Sequence, residues 1–184
     1  MSCDLTNGRL LADCKAGMSG IKTLFFVKYG DVVPTFGGTN GAIDDIGTVT
    51  AFRFEMANGV GDFVETLNSA DETGVAYVEQ VLNLVLQHIL QADLADLNSL
   101  KKGRWNIFAL DYENNTRAFG LFNGATATGG DAGSGTAPAD PKAATVTFTG
   151  RENDYAPFLE PPAAPSTPYD PFQDMVTVTV TPAY

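Results

Sequence analysis

The side chains that most often carry chemistry are scarce in this sequence. His88 is the only histidine, and it lies in the apolar stretch VLNLVLQHIL, where a packed or surface position is more usual than a catalytic one. The two cysteines, Cys3 and Cys14, are far from His88 in sequence. Zinc sites need closely spaced Cys and His ligands, so a metal site is the weakest interpretation, behind free structural thiols and a disulfide.

Motifs typical of enzymes are also missing. The 22 Asp and Glu residues include no pair whose spacing marks a general acid and base. The glycine-rich segments GGTNG (37–41) and TGGDAGSG (128–135) lack the following helix that a phosphate-binding loop requires. A nucleophile elbow is absent as well. We therefore expect no enzymatic activity, no catalytic residue, no metal and no cofactor.

Composition and charge exclude two classes of function. The net charge is −11, and the largest basic cluster is the pair Lys101-Lys102, so the chain lacks the basic surface with which proteins grip nucleic acid. No segment is apolar for long enough to span a bilayer, and the first twenty residues lack the apolar run of a signal peptide. We expect a protein that is made in a cytosol-like compartment and does not insert into membranes.

Segment patterns predict a β-rich single domain covering residues 1–184. A helix is predicted over 91–102, where Leu94, Leu97 and Leu100 recur at helical spacing before Lys101-Lys102. Strands are predicted at 22–30, 48–57, 62–69, 143–150 and 175–182, and as a hairpin of RWNIFALDY and TRAFGLF turning at Asn114-Asn115.

Three segments are predicted to lack regular structure. The first is the turn-rich loop 31–47, and the second is the low-complexity Gly/Ala/Thr segment 123–142, expected to be a flexible loop. The third belongs to a Pro-rich C-terminal extension, 156–184, which ends in the predicted terminal strand. That strand could cover an edge of its own sheet or reach a neighbouring molecule.

The stretch VAYVEQVLNLVLQHI (75–89) fits two structures. Apolar residues at i, i+3 and i+7 favour a helix, which with the next helix would make a rod of roughly 28 residues, long for a soluble domain. The many valines, Tyr77 and the alternation in LNLVL favour a strand. Periodicity alone favours the helix.

The order of segments from Cys3 to Leu159 resembles the tail tube proteins of tailed bacteriophages. The resemblance rests on CDLTNGRL, on FRFEMANGVGDFVETLNSADETGVAYVEQVLNLVL, on LKKGRWNIFALDYENN and on VTFTGRENDYAPFL. It implies two orthogonally packed antiparallel sheets, a tail-tube-like β-sandwich or barrel, with one short α-helix. It also implies that 75–89 is a strand paired with 61–69. The resemblance decides the ambiguity, and we predict a strand.

The resemblance implies a role for particular side chains. In such tubes the hairpins of six copies close into one barrel, and the rings stack into a filament. An acidic and neutral polar wall would pass DNA by repelling phosphate; the alternative is that these side chains merely face solvent outside. The lumen-facing candidates are Glu55, Asp62, Glu79, Asn83 and Gln87; the candidates for the hairpin tip or ring rim are Asp71 and Glu72; the candidates for the sandwich core are Phe52, Phe54, Leu82, Leu84 and Leu86.

The functional expectation is a structural virion protein that is assembled in the bacterial host cytoplasm and resides in the phage tail. Its implied partners are further copies of itself, a tape measure protein and a tail terminator, with a sheath as an additional candidate. DNA would pass through without specific binding. Two alternatives remain at this stage: another β-rich virion ring, such as a terminator or connector, and a monomeric ligand-binding β-barrel.

Overall fold

Strands dominate the fold, and the prediction of a mainly β protein with one short helix is confirmed. The computed structural model describes residues 17–57, 61–70, 72, 74–133, 142–175 and 177–182. Within these ranges the elements are β1 Ile21–Lys28, β2 Thr35–Phe36, β3 Ile43–Asp45, β4 Val49–Glu55, β5 Asp62–Ala70, β6 Val75–Gln87, α1 Gln91–Leu100, β7 Arg104–Asp111, β8 Thr116–Phe119, β9 Ala125–Gly133, β10 Ala143–Glu152 and β11 Val178–Thr181.

Across the described residues, nine strands form one hydrogen-bonded sheet. Eight of them follow a path in the order β11-β4-β1-β7-β9-β10-β6-β5, and β8 pairs with β7 as well. Strands β2 and β3 form a separate small sheet. The path is weakest between β7 and β9, where only Arg104 with Thr126 and Trp105 with Ala125 are paired. This junction separates a four-stranded layer (β9, β10, β6 and β5) from a five-stranded layer (β8, β7, β1, β4 and β11).

The two layers pack face to face through a shared hydrophobic core. Phe26 and Ile107 of the five-stranded layer and Leu82, Leu84 and Phe148 of the four-stranded layer are fully buried in it. The ring centroids of Phe26 and Phe148 lie 5.1 Å apart. Burying a side chain of this size contributes about 1.5–3 kcal/mol, so this contact holds the layers together.

A second core covers the other face of the five-stranded layer. The ring of Phe172, from the C-terminal extension, makes edge contacts with Phe25 at 5.1 Å and with Phe108 at 5.5 Å. Leu159 and Met175 are buried in the same cluster. Strand β11 then pairs in parallel with β4, so the terminal strand covers an edge of its own sheet.

The ambiguous stretch is a strand. Val75–Gln87 forms β6, which pairs with β5 on one side and with β10 on the other. Its buried residues alternate from Val78 to Leu84, and buried Gln80 accepts a hydrogen bond from the Gly120 backbone N–H at 2.9 Å. Hydrogen bonds to two neighbouring strands satisfy its backbone N–H and C=O groups. The local pattern of apolar residues carries no information about these neighbours. The strand ends before His88, whose φ is +57°.

The expected loop at 123–142 is wrong for part of its length. Residues 125–133 form β9, which pairs with β10; residues 134–141 lie outside the described residues. Strand pairing uses backbone groups, so a segment of glycine, alanine and threonine can join a sheet when a neighbouring strand supplies the partners. Composition alone therefore misidentified this segment as a loop.

Gly130 is the position of β9 where a side chain is least tolerable. Its φ is +154°, and a Cβ added there would overlap the carbonyl oxygen of Thr145, whereas a Cβ at Gly129 would meet nothing within 4 Å. We expect Gly130→Ala to lower the free energy of unfolding by about 1–3 kcal/mol. Gly129→Ala, the matched control, should change it by about 0.5 kcal/mol or less. Urea unfolding measures both, and equal effects would contradict the assignment.

The helix α1 leaves one predicted core residue uncovered. Phe54 is half-buried, with its ring centroid 5.3 Å from that of Phe26. Phe52, predicted for the core, is 42% exposed, which corrects that assignment. The reason is that Phe52 lines an open cleft of about 650 Å³ beside the helix, which does not cover it.

Candidate functional site: the open face of the four-stranded layer

The four-stranded layer has one face turned toward the core and one turned away from it. Side chains alternate between the two faces along each strand, so the pairing register assigns every residue to a face. The outward face is termed the open face. Its side chains are Asp62, Val64, Thr66, Asn68, Ala70, Val75, Tyr77, Glu79, Val81, Asn83, Val85, Gln87, Thr126, Thr128, Asp131, Ala143, Thr145, Thr147, Thr149 and Arg151.

Hydrogen bonds between side chains join all four strands across the open face. Asn83 of β6 donates from Nδ2 to Asp62 Oδ1 of β5 at 2.7 Å. On its other side, Asn83 Oδ1 accepts a hydrogen bond from Thr147 Oγ1 of β10 at 2.8 Å. Thr128 and Thr149 are joined in the same way by their hydroxyls at 2.9 Å. Such cross-strand pairs stabilise a sheet and hold its polar groups in a defined order.

One ion pair crosses the same face, and it leaves the face acidic. Arg151 donates from Nε and Nη2 to Glu79 Oε1, both at 3.1 Å. The carboxylates of Asp62, Glu79 and Asp131 against the single guanidinium of Arg151 leave a formal charge of −2 on the described open face. An exposed pair of this kind contributes about 1 kcal/mol or less to stability.

The structure brings together four of the five lumen-facing candidates. Asp62, Glu79, Asn83 and Gln87 all lie on the open face. Glu55 does not, and its assignment to the same surface is corrected: it lies on β4 of the other layer, 3.7 Å from Arg53, at the cleft beside α1. The alternation of polar and apolar residues within β4 carries no information about which layer β4 joins.

The remaining candidates fall in three places. Glu72 is exposed in the turn between β5 and β6, and Asp71 lies outside the described residues. Leu82 and Leu84 are fully buried between the layers, and Leu86 is half-buried at the edge of that core.

The sequence reasoning missed the β10 and β9 side chains of the open face. Thr145, Thr147, Thr149 and Arg151 alternate with Ala144, Val146 and Phe148, the pattern of a half-buried strand. That pattern identified the strand but not its neighbours, so nothing indicated that Arg151 faces Glu79.

Both margins of the four-stranded layer are unpaired over much of their length. In the described part of the chain, β5 pairs with β6 alone, and β9 beyond Thr126 pairs only with β10. The margin at β5 also exposes Val64 at 50% and Leu67 at 56%. Long unpaired edges with apolar side chains are usual sites of strand pairing between molecules.

A buried carboxylate holds the β5–β6 hairpin against the rest of the molecule. The Glu65 side chain is 6% exposed. Its Oε1 accepts hydrogen bonds from Gln80 Nε2 at 3.0 Å and from the Ala156 backbone N–H at 2.7 Å, and its Oε2 pairs with Arg117 of β8. The Arg117 guanidinium in turn lies over the ring of Phe63 at 4.9 Å. The base of the hairpin is therefore rigidly placed.

Glu152, at the end of β10, holds the turn that follows β8. Its Oε1 accepts hydrogen bonds from the backbone N–H groups of Phe122 at 3.0 Å and Asn123 at 2.8 Å. Burial raises the pKa of this carboxyl, and these N–H groups and the charge of Arg104 oppose the rise only in part. The group is placed for a structural role, since it faces the protein interior rather than the open face.

Little in the described ranges indicates other chemistry. No group of three or more His, Cys, Asp or Glu among these residues could hold a metal ion; Cys3 and Cys14 lie outside them. No helix in this part of the chain is both long and apolar enough to cross a membrane. Comparison of the chain with family models, curated proteins and solved structures found no match in any of the three.

Proposed function

We propose that this protein is the structural subunit of a phage tail tube. Copies form hexameric rings through their four-stranded layers, and the rings stack into a hollow filament with the open face lining the lumen. The observation that supports it best is a four-stranded layer with a polar, acidic outer face, whose two margins are unpaired over much of their length among the described residues. The segment resemblance to tail tube proteins points to the same function.

The directions of the marginal strands suit a closed ring. Three antiparallel pairings separate β5 from β9, so these two strands run in opposite directions. A rotation about the ring axis keeps the direction of a strand along that axis. The β5 strand of one copy therefore meets the β9 strand of the next in antiparallel orientation. Closure in this way removes both exposed edges.

The size of such a ring suits DNA. Six copies supply about 24 strands, which at a spacing of roughly 4.8 Å and a tilt of about 40° give a circumference of about 150 Å. Opposite backbones then lie about 48 Å apart, by the same geometry. Side chains narrow the opening, which remains wider than a DNA duplex.

The chemistry of the open face suits passage rather than binding. Threonine and asparagine side chains on this face already bond across strands, as in Asn83 with Thr147 and Thr128 with Thr149. The net negative charge repels phosphate over roughly 8–10 Å in physiological salt. Arg151, the one cation on the described part of this face, is neutralised by Glu79. DNA and a tape measure protein would meet a wall with few groups available to hold them.

Further roles follow from the same proposal. The protein would reside in the virion tail, assemble in the host cytoplasm and contact a tail terminator and, in a contractile tail, a sheath.

The open cleft of about 650 Å³ beside α1 supports a second candidate function, that of a monomeric ligand-binding protein, because the floor of the cleft is aromatic. A terminator or connector ring is a third candidate that shares the closure argument.

Assembly of the purified chain tests the proposal. The full chain is concentrated, with and without a sulfate salt that strengthens burial of apolar surface, and examined by size exclusion and negative-stain microscopy. We expect hollow rods of constant width. Discrete rings that never stack would favour a terminator or connector. A monomer of 19.5 kDa that persists under all conditions, including addition of tail tips as nuclei, would favour the ligand-binding protein.

A further inference from the structure

A groove separates α1 from the inner face of β9 and β10. It has a volume of about 490 Å³, and Leu94 and Leu97 of the helix form one wall. Its floor consists mostly of small residues, namely Ala127, Gly129, Gly130, Ala132, Ala144, Thr145 and Val146, with Asp131 among them. Leu94 is 37% exposed. The groove is therefore mostly apolar, with Asn98, Lys101 and Asp131 as polar lining residues, and it is open at the margin of the four-stranded layer.

The opposite margin of the same layer carries a side chain suited to this groove. Leu67 of β5 pairs in register with Val78, so it lies on the inner face of the layer, as the groove does. It is 56% exposed. A leucine on a margin strand, facing inward and contacting little of its own molecule, is available for contact with another.

The charges of the two margins are complementary. Residues 61–78 contain Asp62 and two acidic residues of the turn, and no Lys or Arg. Glu65 is also in this range, but it is buried and paired with Arg117. Lys101 lines the groove, together with one acidic residue, Asp131. Lys102 follows Lys101 and Lys142 precedes β10, so three exposed lysines stand against one carboxylate at this margin. Opposite charges on two margins favour their encounter and disfavour pairing of like margins.

We infer that the groove between α1 and β9 receives the Leu67 side chain of a second copy of this chain. When β5 of one copy pairs with β9 of the next, the inner faces of the two four-stranded layers form one continuous surface. Leu67 of the first copy then lies under helix α1 of the second copy, against its Leu94 and Leu97. The helix thereby has a function in assembly, since it covers the joint between copies. This inference rests on the proposed function and adds the side-chain contact that selects the partner.

Cysteine cross-linking tests the contact. In the full chain with Cys3→Ser and Cys14→Ser, Leu67→Cys is combined with Leu94→Cys, and assembled material is oxidised. We expect a ladder of covalent multimers. The matched control combines Val64→Cys with Leu94→Cys, because Val64 lies on the same strand but on the open face, and it should cross-link little.

A second variant measures how much the Leu67 contact contributes to assembly. Leu67→Gln should raise the concentration needed for assembly about tenfold or more, from the lost burial of one leucine. Val64→Gln should change it much less. Thermal unfolding of unassembled Leu67→Gln should match that of the wild type, because Leu67 is exposed within one copy.

The outcomes separate this inference from the proposed function. Suppose that the wild type forms rods, but that no cross-link forms at Leu67 and Leu67→Gln assembles as the wild type does. This result would overturn the contact and leave the proposed tube function standing. Equal cross-linking by the Val64→Cys pair would also overturn it. A wild-type chain that never forms rods or rings would overturn both.

Discussion

Reversal of one charge on the open face, Glu79→Lys, is expected to leave assembly intact and to reduce DNA delivery by about tenfold or more. The change removes the partner of Arg151 and places two cations side by side on each copy. In the proposed tube, six copies per ring would then present rows of cations to the phosphates of the passing DNA. Lysines bind phosphate by releasing counterions, so DNA would be held rather than passed.

Glu55→Lys is the matched control, because Glu55 also pairs with an arginine, Arg53, but lies on the other layer. It should leave delivery unchanged. The fraction of DNA ejected from virions carrying each variant measures the effect. Binding of DNA to assembled rods at low and physiological salt supplies a second readout, and only Glu79→Lys should bind with steep salt dependence. Equal behaviour of the two variants would contradict the assignment of the lumen.

Removal of the buried carboxylate, Glu65→Ala, is expected to lower the free energy of unfolding by about 3–5 kcal/mol. The change leaves the partly buried Arg117 guanidinium without its partner and the Ala156 N–H without its acceptor. It also frees Gln80, which links the hairpin to the turn at Gly120. Loss of one partner of a buried pair is costly because the other charge stays desolvated.

Chemical denaturation of unassembled protein measures this effect. Glu65→Gln retains an oxygen acceptor for Ala156 and should be less destabilising. Thr66→Ala, an exposed neighbour on the same strand, should change stability by about 0.5 kcal/mol or less. Hydrogen exchange of β5 amides should accelerate in Glu65→Ala, because the base of the hairpin loses its contact with β8. A loss of stability no larger than that of Thr66→Ala would show that the carboxylate does not hold the hairpin.

Much of the fold could be predicted because strand patterns are local. The segment AATVTFTG (143–150) was predicted as a strand and lies within β10, and Asn114, whose φ is +67°, marked the turn between β7 and β8. The helix was predicted over 91–102 and spans Gln91–Leu100. Each of these signals lies within a few residues, where side-chain spacing directly reflects backbone geometry.

The sequence by itself determined a mainly β chain, the alternating faces of strands such as β10 and the acidity of the molecule, because these depend on neighbouring residues and on totals. Only the tertiary structure decided that β9 is a strand, that Glu55 lies on a different layer from Glu79, and that Glu79 faces Arg151. The physical reason is that strand pairing and layer packing join backbone and side chains distant in sequence, and a strand's periodicity carries no record of its partner.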